Sequence, residues 1–362
     1  EEDIAFLRGK GCFDEPFLDY LRSFRFTGDM WAVPEGTFVF PGEPLITVRA
    51  PAIQAQFIET YLLMIVNHES LIATKAARIT RAAKGRAVSE FGSRRAQGAD
   101  AAILGARAAF IGGCSSTACT LSDEVFGVPA GGTMAHSWVQ MFDSELDAFR
   151  TYCEIYPHNA TLLIDTYNVL DSGLPHAIAA FDEVLRPRGI TSCAIRIDSG
   201  DITYLTQKIR ARLDEAGWQT CKIVVSNSMD EYIIRELIRQ GACIDAFGVG
   251  ERLITAKSDP VFGGVYKLCA VEAPDGTIIP KIKISENVSK ITTPHFKKVY
   301  RLRGRDTGKA EADLICLHDE TVDDSQPLEI FDPQNTWKRK VLTDFTAEEL
   351  LVPVFRGGEL VY

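Results

Sequence analysis

TSCAIRIDSGDITYLTQKIRARLDEAGWQTCKIVVSN, residues 191–227, decides the fold. Its first eight residues form a short apolar run ending at Asp198. Residues 202–217 then space their apolar positions at helical intervals, and 221–227 return to a valine-rich run. Strand, helix and strand at this spacing read as a βαβ unit. The pattern continues on both sides. LLID (162–165) is a strand and GLPHAIAAFDEVLRP (173–187) a helix. DEYIIRELIRQG (230–241) is a further helix and IDAFGVG (244–250) a further strand. Two upstream segments, AAFIGG (108–113) and GVPAGG (127–132), read as two more units. About six units at this pitch predict a parallel sheet, closed or irregular, in the manner of an α/β barrel.

The flanks differ. WAVPEGTFVFPGEPLITVRAP (31–51) alternates apolar residues between Pro/Gly turns and predicts a small antiparallel β unit. Residues 54–83 carry apolar positions at helical spacing without Pro or Gly, as one long helix or two joined ones. After Gly264, GGVYKLCAVEAPDGTIIPKIKIS and HFKKVYRLRG are β-rich. Neither β region is large enough to bury a core alone, so both are expected in one second domain. The expected organisation is an irregular α/β barrel with a separate β-rich domain. Residues 1–80 supply the N-terminal part of the β-rich domain and a linking helix. Residues 81–265 form the barrel, and 266–362 return to the first domain.

Composition narrows the function. The 362 residues carry a net charge of −10, which disfavours nucleic acid and anionic membranes as partners. No apolar run is long enough to span a bilayer and no secretory signal opens the chain, so a cytoplasmic location is expected. The nine cysteines include no C-x-x-C pair and read as free thiols, and the six scattered histidines offer no zinc pattern. The chain opens at Glu1 without methionine and reads as a fragment.

Each strand is followed by a polar turn. LLID leads into Asp165-Thr-Tyr-Asn, CAIRID into Ser-Gly-Asp201, KIVVSN into Ser-Met-Asp-Glu and AFGVG into Glu251-Arg252. In parallel α/β folds the carboxyl ends of strands are where sites form. Asp201 is placed as a helix N-cap, and Ser228 with Glu231 as a capping box. Asp198 ends its strand with a carboxylate that requires a hydroxyl, a cation or a metal. Arg196, two residues earlier, shares its face, and either meets an anion or pairs with Asp198. Gly248, Gly250, Gly263 and Gly264 permit close backbone approach to a phosphate. EFGSRRAQG (90–98) places Arg94 and Arg95 beside Phe91, and His136 follows a Gly-Gly segment. Lys281, Lys283, Lys290, Lys297 and Lys298 form a basic run, either a solvated face or the border of a polyanion's entry. Arginines, glycine donors, one histidine and carboxylates suit a sugar-phosphate and a second small anion.

EFGSRRAQG, GVPAGGTMAHSWVQMF (127–142), LLIDTYN, RIDSGD, SNSMDEYII (226–234) and FGVGERLITAKSDPVFGGVYKL (247–268) resemble, in order, the motifs of the nicotinate phosphoribosyltransferase family. The resemblance implies joining of nicotinate to phosphoribosyl pyrophosphate (PRPP), giving nicotinate mononucleotide and pyrophosphate. It implies coupled ATP hydrolysis, a requirement for Mg2+, a place in NAD salvage and a homodimer with shared active sites. By motif, His136 corresponds to the histidine phosphorylated by ATP, with Asp165 orienting it. Phe91 corresponds to the ring that stacks on the pyridine, and Arg94 lies close to pyridine and phosphates. Arg196 and Asp198 bind phosphate and ribose hydroxyls, and Gly248 and Gly250 the 5′-phosphate. The neutral hydroxyls at Ser115 and Ser116 suit a carboxylate, favouring nicotinate over nicotinamide. The family's N-terminal segment with a second stacking tyrosine is not found. A nicotinamide- or quinolinate-using sister transferase, and a non-catalytic nucleotide-binding member, remain as alternatives.

Overall fold

In the computed structural model, which describes residues 1–284, 286 and 291–362, the chain divides into two compact units. One is Met64–Gly264. The other joins Glu1–Leu63 to Val265–Tyr362. The division falls inside the helix Glu59–Ala82, which follows a shorter helix Ala52–Phe57, so the predicted helical stretch is two joined helices.

The Met64–Gly264 unit is built on six parallel strands: β1 (Ala87–Glu90), β2 (Ser116–Thr117), β3 (Thr161–Leu163), β4 (Ala194–Ile197), β5 (Lys222–Val225) and β6 (Ala246–Val249). Their order across the sheet is β2-β1-β6-β5-β4-β3, and every pair is parallel. The two end strands, β2 and β3, are not paired with one another, so the sheet is an open, half-barrel arrangement. Leu162, Ile195, Ile197, Ile223, Val225, Phe247 and Val249 are fully buried. Burial alternates along β1, β4 and β5, with every second residue fully buried, while all three residues of β3 are buried.

Two expected units are corrected. Residues 108–113 are not a strand end. Most of them close the helix Ala99–Ile111, whose alanine-rich sequence favours helix and whose length exceeds a strand's. Residues 127–132 form no strand; a single bridge joins Ala130 to Thr117, and Pro129 can offer no N–H to a ladder. The strands in their place, AVSE and ST, are too short and too polar to show a period. The capping box is also corrected. Asp230, not Ser228, caps the helix Glu231–Arg239, accepting from the N–H groups of Tyr232 and Ile233. Glu231 pairs instead with the buried Lys75, 2.7 Å away. Asp201 caps its helix as expected, accepting from Tyr204 N–H.

In the other unit, the strand Asp29–Ala32 pairs antiparallel with Ile46–Arg49 on one side and with Val352–Arg356 on the other. Segments from both ends of the chain thus share one sheet, and Trp31 packs with Val299, Leu350 and Leu351. The PDGT turn connects the hairpin Ala270–Glu272 with Ile278–Pro280. Among the basic run, Lys297 and Lys298 are buried in the strand Lys297–Gly304, and Lys290 lies outside the described residues. All nine cysteines are free. No helix among the described residues is long and apolar enough to cross a membrane.

This unit holds a titrating carboxyl. Burial, together with the neighbouring Asp313, pushes Glu43 up to about 7, against the Phe40 N–H that it accepts. A carboxyl raised in the folded state stabilises fully below its ordinary value of 4.5, and that contribution is lost as pH rises through about 7. Glu43→Gln is therefore expected to flatten the pH dependence of the thermal midpoint across this window. An unchanged slope would refute the assignment.

Candidate active site

Because all six strands run the same way, their carboxyl ends lie along one edge of the sheet. The exit of β3 carries Asp165, whose side chain is only 1% exposed. Its Oδ2 accepts the Asp198 N–H at 2.8 Å and the Ser199 hydroxyl at 2.7 Å. Asp198, at the exit of β4, accepts the Ser226 hydroxyl from the exit of β5 at 2.6 Å. One carboxylate is thus tied to each of two neighbouring strand ends.

His136 begins a short helix, His136–Gln140, and reaches this edge from an irregular segment rather than from a strand. Its Nδ1 bonds the Thr166 hydroxyl at 3.1 Å, and its Nε2 lies 3.8 Å from Asp165 Oδ1. That separation is too long for a hydrogen bond. The imidazole is therefore oriented by Thr166, and Asp165 acts on it through charge. Asp165 Oδ1 is buried and has no hydrogen-bond partner.

Arg196 and Asp198 do not pair with each other. Arg196 Nη1 donates to the Thr133 hydroxyl, and its buried Nε has no partner. Burial lowers the Arg196 pKa, while the charges of Asp198 and Asp165 oppose that shift. A buried guanidinium N–H and a buried carboxylate oxygen, both unpartnered, are costly unless a ligand meets them.

The same edge continues through β6 and β1. A Cβ on Gly248 would sit 2.6 Å from the Phe91 ring and 3.3 Å from Ser226 Cβ. The missing side chain thus makes room for the ring rather than for a phosphate at that face. Gly250 directly follows β6, and a Cβ there would meet the Phe91 carbonyl at 3.1 Å. Gly263 faces open space. Arg94 is exposed in the turn Ser93–Arg95, and Arg95 lies 3.8 Å from Glu251. At β2 the Ser115 hydroxyl donates to the Val88 carbonyl at 3.1 Å and the Ser116 hydroxyl to Ser89 Oγ at 2.8 Å, so each proton is already used within the protein.

His136, Asp165, Arg196, Asp198, Gly248, Gly250 and Phe91 therefore lie along one row of strand ends. Thr133, Thr166, Ser226 and Glu90 were not singled out by sequence. Thr166 and Ser226 sit directly at strand exits, a position that could have identified them. Thr133 is brought to Arg196 by an irregular segment with no such signal. Among the described residues no group of three or more His, Cys, Asp or Glu is placed to hold a metal ion.

Gly248→Ala is expected to displace the Phe91 ring and lower the unfolding free energy by about 1–3 kcal/mol, the usual cost of overpacking, as read by thermal or denaturant unfolding. A structure of the variant with Phe91 unmoved would refute this.

Profiles of the nicotinate phosphoribosyltransferase N-terminal and C-terminal domains match residues 1–67 and 296–362. The chain is 44% identical over its full length to a nicotinate phosphoribosyltransferase of Bacillus subtilis, spanning 73% of it. It is 42% identical over 83% of its length to one of Mycobacterium tuberculosis, spanning 63% of that protein. The crystal structure of human nicotinic acid phosphoribosyltransferase superposes over the whole chain and 79% of its own, with TM-score 0.83 and 27% identity. With its sheet, its β-rich unit and these matches taken together, the chain belongs to the nicotinate phosphoribosyltransferase family.

Proposed function

We propose that this chain joins nicotinate to PRPP, forming nicotinate mononucleotide and pyrophosphate in NAD salvage, with ATP as co-substrate. The observation that carries the reading is the row of strand ends, where Asp165 Oδ1 and Arg196 Nε are buried without partners beside His136. The family membership supplies the substrates to which this row is fitted.

In the reaction the bond from the ribose anomeric carbon to pyrophosphate breaks, its electron pair leaving with pyrophosphate. The pyridine nitrogen then forms the new bond. An oxocarbenium-like transition state needs charge stabilisation rather than a nucleophile from the protein. Asp198, held by Ser226, accepts a ribose hydroxyl. Arg196, positioned by Thr133, offers its free N–H to phosphate, and Arg94 adds charge from the exposed turn. Phe91 stacks on the pyridine, and with Gly248 given over to the Phe91 ring, the backbone N–H of Gly250, directly after β6, is the one offered to the 5′-phosphate. Ser115, whose proton is held by Val88, meets the nicotinate carboxylate only after that bond is exchanged.

The two carboxylates at neighbouring strand exits suit Mg2+, an ion commonly held by one or two carboxylates together with a substrate's phosphates. Asp165 Oδ1 and Asp198 are the oxygens that would hold it. When bound, it would offset the charge on the departing pyrophosphate. His136, 41% exposed and bonded only at Nδ1, leaves Nε2 free to accept the γ-phosphoryl group of ATP with release of ADP. The family resemblance further supports a cytoplasmic homodimer with shared sites.

Mononucleotide formation from PRPP is to be measured with nicotinate, nicotinamide or quinolinate, with and without ATP. Turnover of nicotinate alone, raised by ATP, is expected. Equal turnover of nicotinamide would sink the choice of base. His136→Ala is expected to lower the ATP-stimulated rate to the rate without ATP, and stimulation equal to wild type would exclude the phosphohistidine. Asp198→Ala is expected to raise the KM for PRPP about 10–100-fold, as loss of charged hydrogen bonds implies, with the KM for nicotinate nearly unchanged. Equal rises in both would remove Asp198 as the ribose ligand.

A further inference from the structure

We propose that Glu90 is a positioning residue of the pyridine subsite, bracing the Phe91–Gly92 turn against the β2 edge. The assignment rests on the nicotinate reading above. Glu90 is fully buried at the last position of β1. One carboxylate oxygen accepts the Gly92 N–H, and the other accepts the Thr117 hydroxyl at 2.7 Å. The turn that carries the stacking ring and the strand that carries Ser116 and Thr117 are thus held by one side chain.

The brace has a physical need. β2 has two residues and lies at the sheet edge, so its backbone pairing with β1 is minimal. Three links supplement it: Ser115 to the Val88 carbonyl, Ser116 to Ser89, and Thr117 to Glu90. Of these, Glu90 alone supplies a carboxylate, and it also reaches around to the turn. A carboxylate accepts on both oxygens, whereas an amide offers one acceptor. Hydrogen bonds to a charged acceptor are the stronger and shorter kind.

The turn is closed on its other sides. A Cβ on Gly92 would lie 2.6 Å from Ile254 Cβ and 2.8 Å from Glu90 Oε1, so only glycine lets this N–H approach the carboxylate. The Phe91 ring fills the space beside Gly248. Phe91 N–H donates to the Val249 carbonyl at 2.8 Å, and Ala118 N–H to the Glu90 carbonyl at 2.9 Å. With the ring seated on β6 and its turn gripped by Glu90, a slackened brace tilts the ring and widens the gap to β2. Nicotinate binding should suffer far more than PRPP binding, whose main ligands, Asp198 and Arg196, belong to β4 and its exit, away from the braced turn. Burial pushes the Glu90 carboxyl up and the two donors act against that shift, so these donors offset the cost of a charge inside the protein.

The test separates reach from charge. Glu90→Asp keeps the charge and shortens the side chain by one methylene, breaking both bonds. Glu90→Gln keeps the reach but replaces one acceptor by an amide donor, so the Thr117 hydroxyl must turn to accept, and neither bond is charge-assisted any longer. The KM for nicotinate is expected to rise about thirtyfold in Glu90→Asp, from the loss of both bonds, and about fivefold in Glu90→Gln, from the loss of charge assistance. The KM for PRPP should stay within about twofold in both. Thr117→Val, which removes one of the two bonds, should raise the KM for nicotinate about fivefold and add little on top of Glu90→Asp, because both changes remove that bond. If Glu90→Asp does not fold, the nicotinate-to-PRPP split in Glu90→Gln decides. The assignment is overturned if both KM values rise together, if the nicotinate KM is unchanged, or if Gln is as damaging as Asp. Wild-type protein is assayed first. Absence of nicotinate turnover there overturns the substrate reading and this assignment with it, whereas an active wild type with wild-type-like variants overturns only the brace.

Discussion

The common direction of six strands is the constraint on which the site depends. Parallel pairing from β2 through β3 leaves no choice about where the strand exits go; they share one edge. Residues far apart in sequence become neighbours there. Asp165, Asp198 and Ser226 are linked across three adjacent exits by bonds of 2.6–2.8 Å. Ser226, Gly248 and Phe91 continue the row by direct packing. Glu90 and Thr117 finish it on the last two strands. A one-position change in register on any strand would turn its polar exit residue to the opposite face.

Along this row the polar groups fall into two sets. Most are satisfied inside the protein: Asp198 by Ser226, Ser115 by Val88, Ser116 by Ser89 and Glu90 by Gly92 and Thr117. These fix geometry. Asp165 Oδ1 and Arg196 Nε are buried and unmatched, one an acceptor and one a donor. A folded protein keeps such groups where a ligand completes them. The acceptor lies beside the histidine and the donor on the next strand. That is the polarity required for a substrate with hydroxyls and phosphates. Under the proposed function, this polarity serves phosphoribosyl transfer.

The β-rich unit was legible in part. Alternating residues around Trp31 and after Gly264 announced strands, but not their partners: Asp29–Ala32 pairs with Val352–Arg356, more than 300 residues away, with Met30 opposite Phe355. The βα units after residue 160 were legible because each strand is an apolar run closed by a polar turn. The first two strands of the sheet were not. AVSE and ST carry too few residues for a period, and the alanine-rich helix Ala99–Ile111 supplied a more apolar run that drew the reading away. Ser228 and Glu231 fit a capping pattern, yet Asp230 took the cap because it sits next to the helix and Glu231 found a buried lysine.

What the sequence determined by itself is the set of local rules: strand, polar exit, helix, repeated, and the residue types gathered at each exit. Motif order also carried the family. What only the tertiary structure decided is who meets whom. His136 was assigned to Asp165 but is held by Thr166, and Arg196 turned to Thr133 rather than to Asp198. Gly248, read as a phosphate contact, makes room for Phe91. The reason is the same in each case. Local patterns depend on neighbours along the chain, whose spacing is set by covalent geometry. Hydrogen-bond partners depend on sheet order and on irregular segments, and no periodicity encodes either.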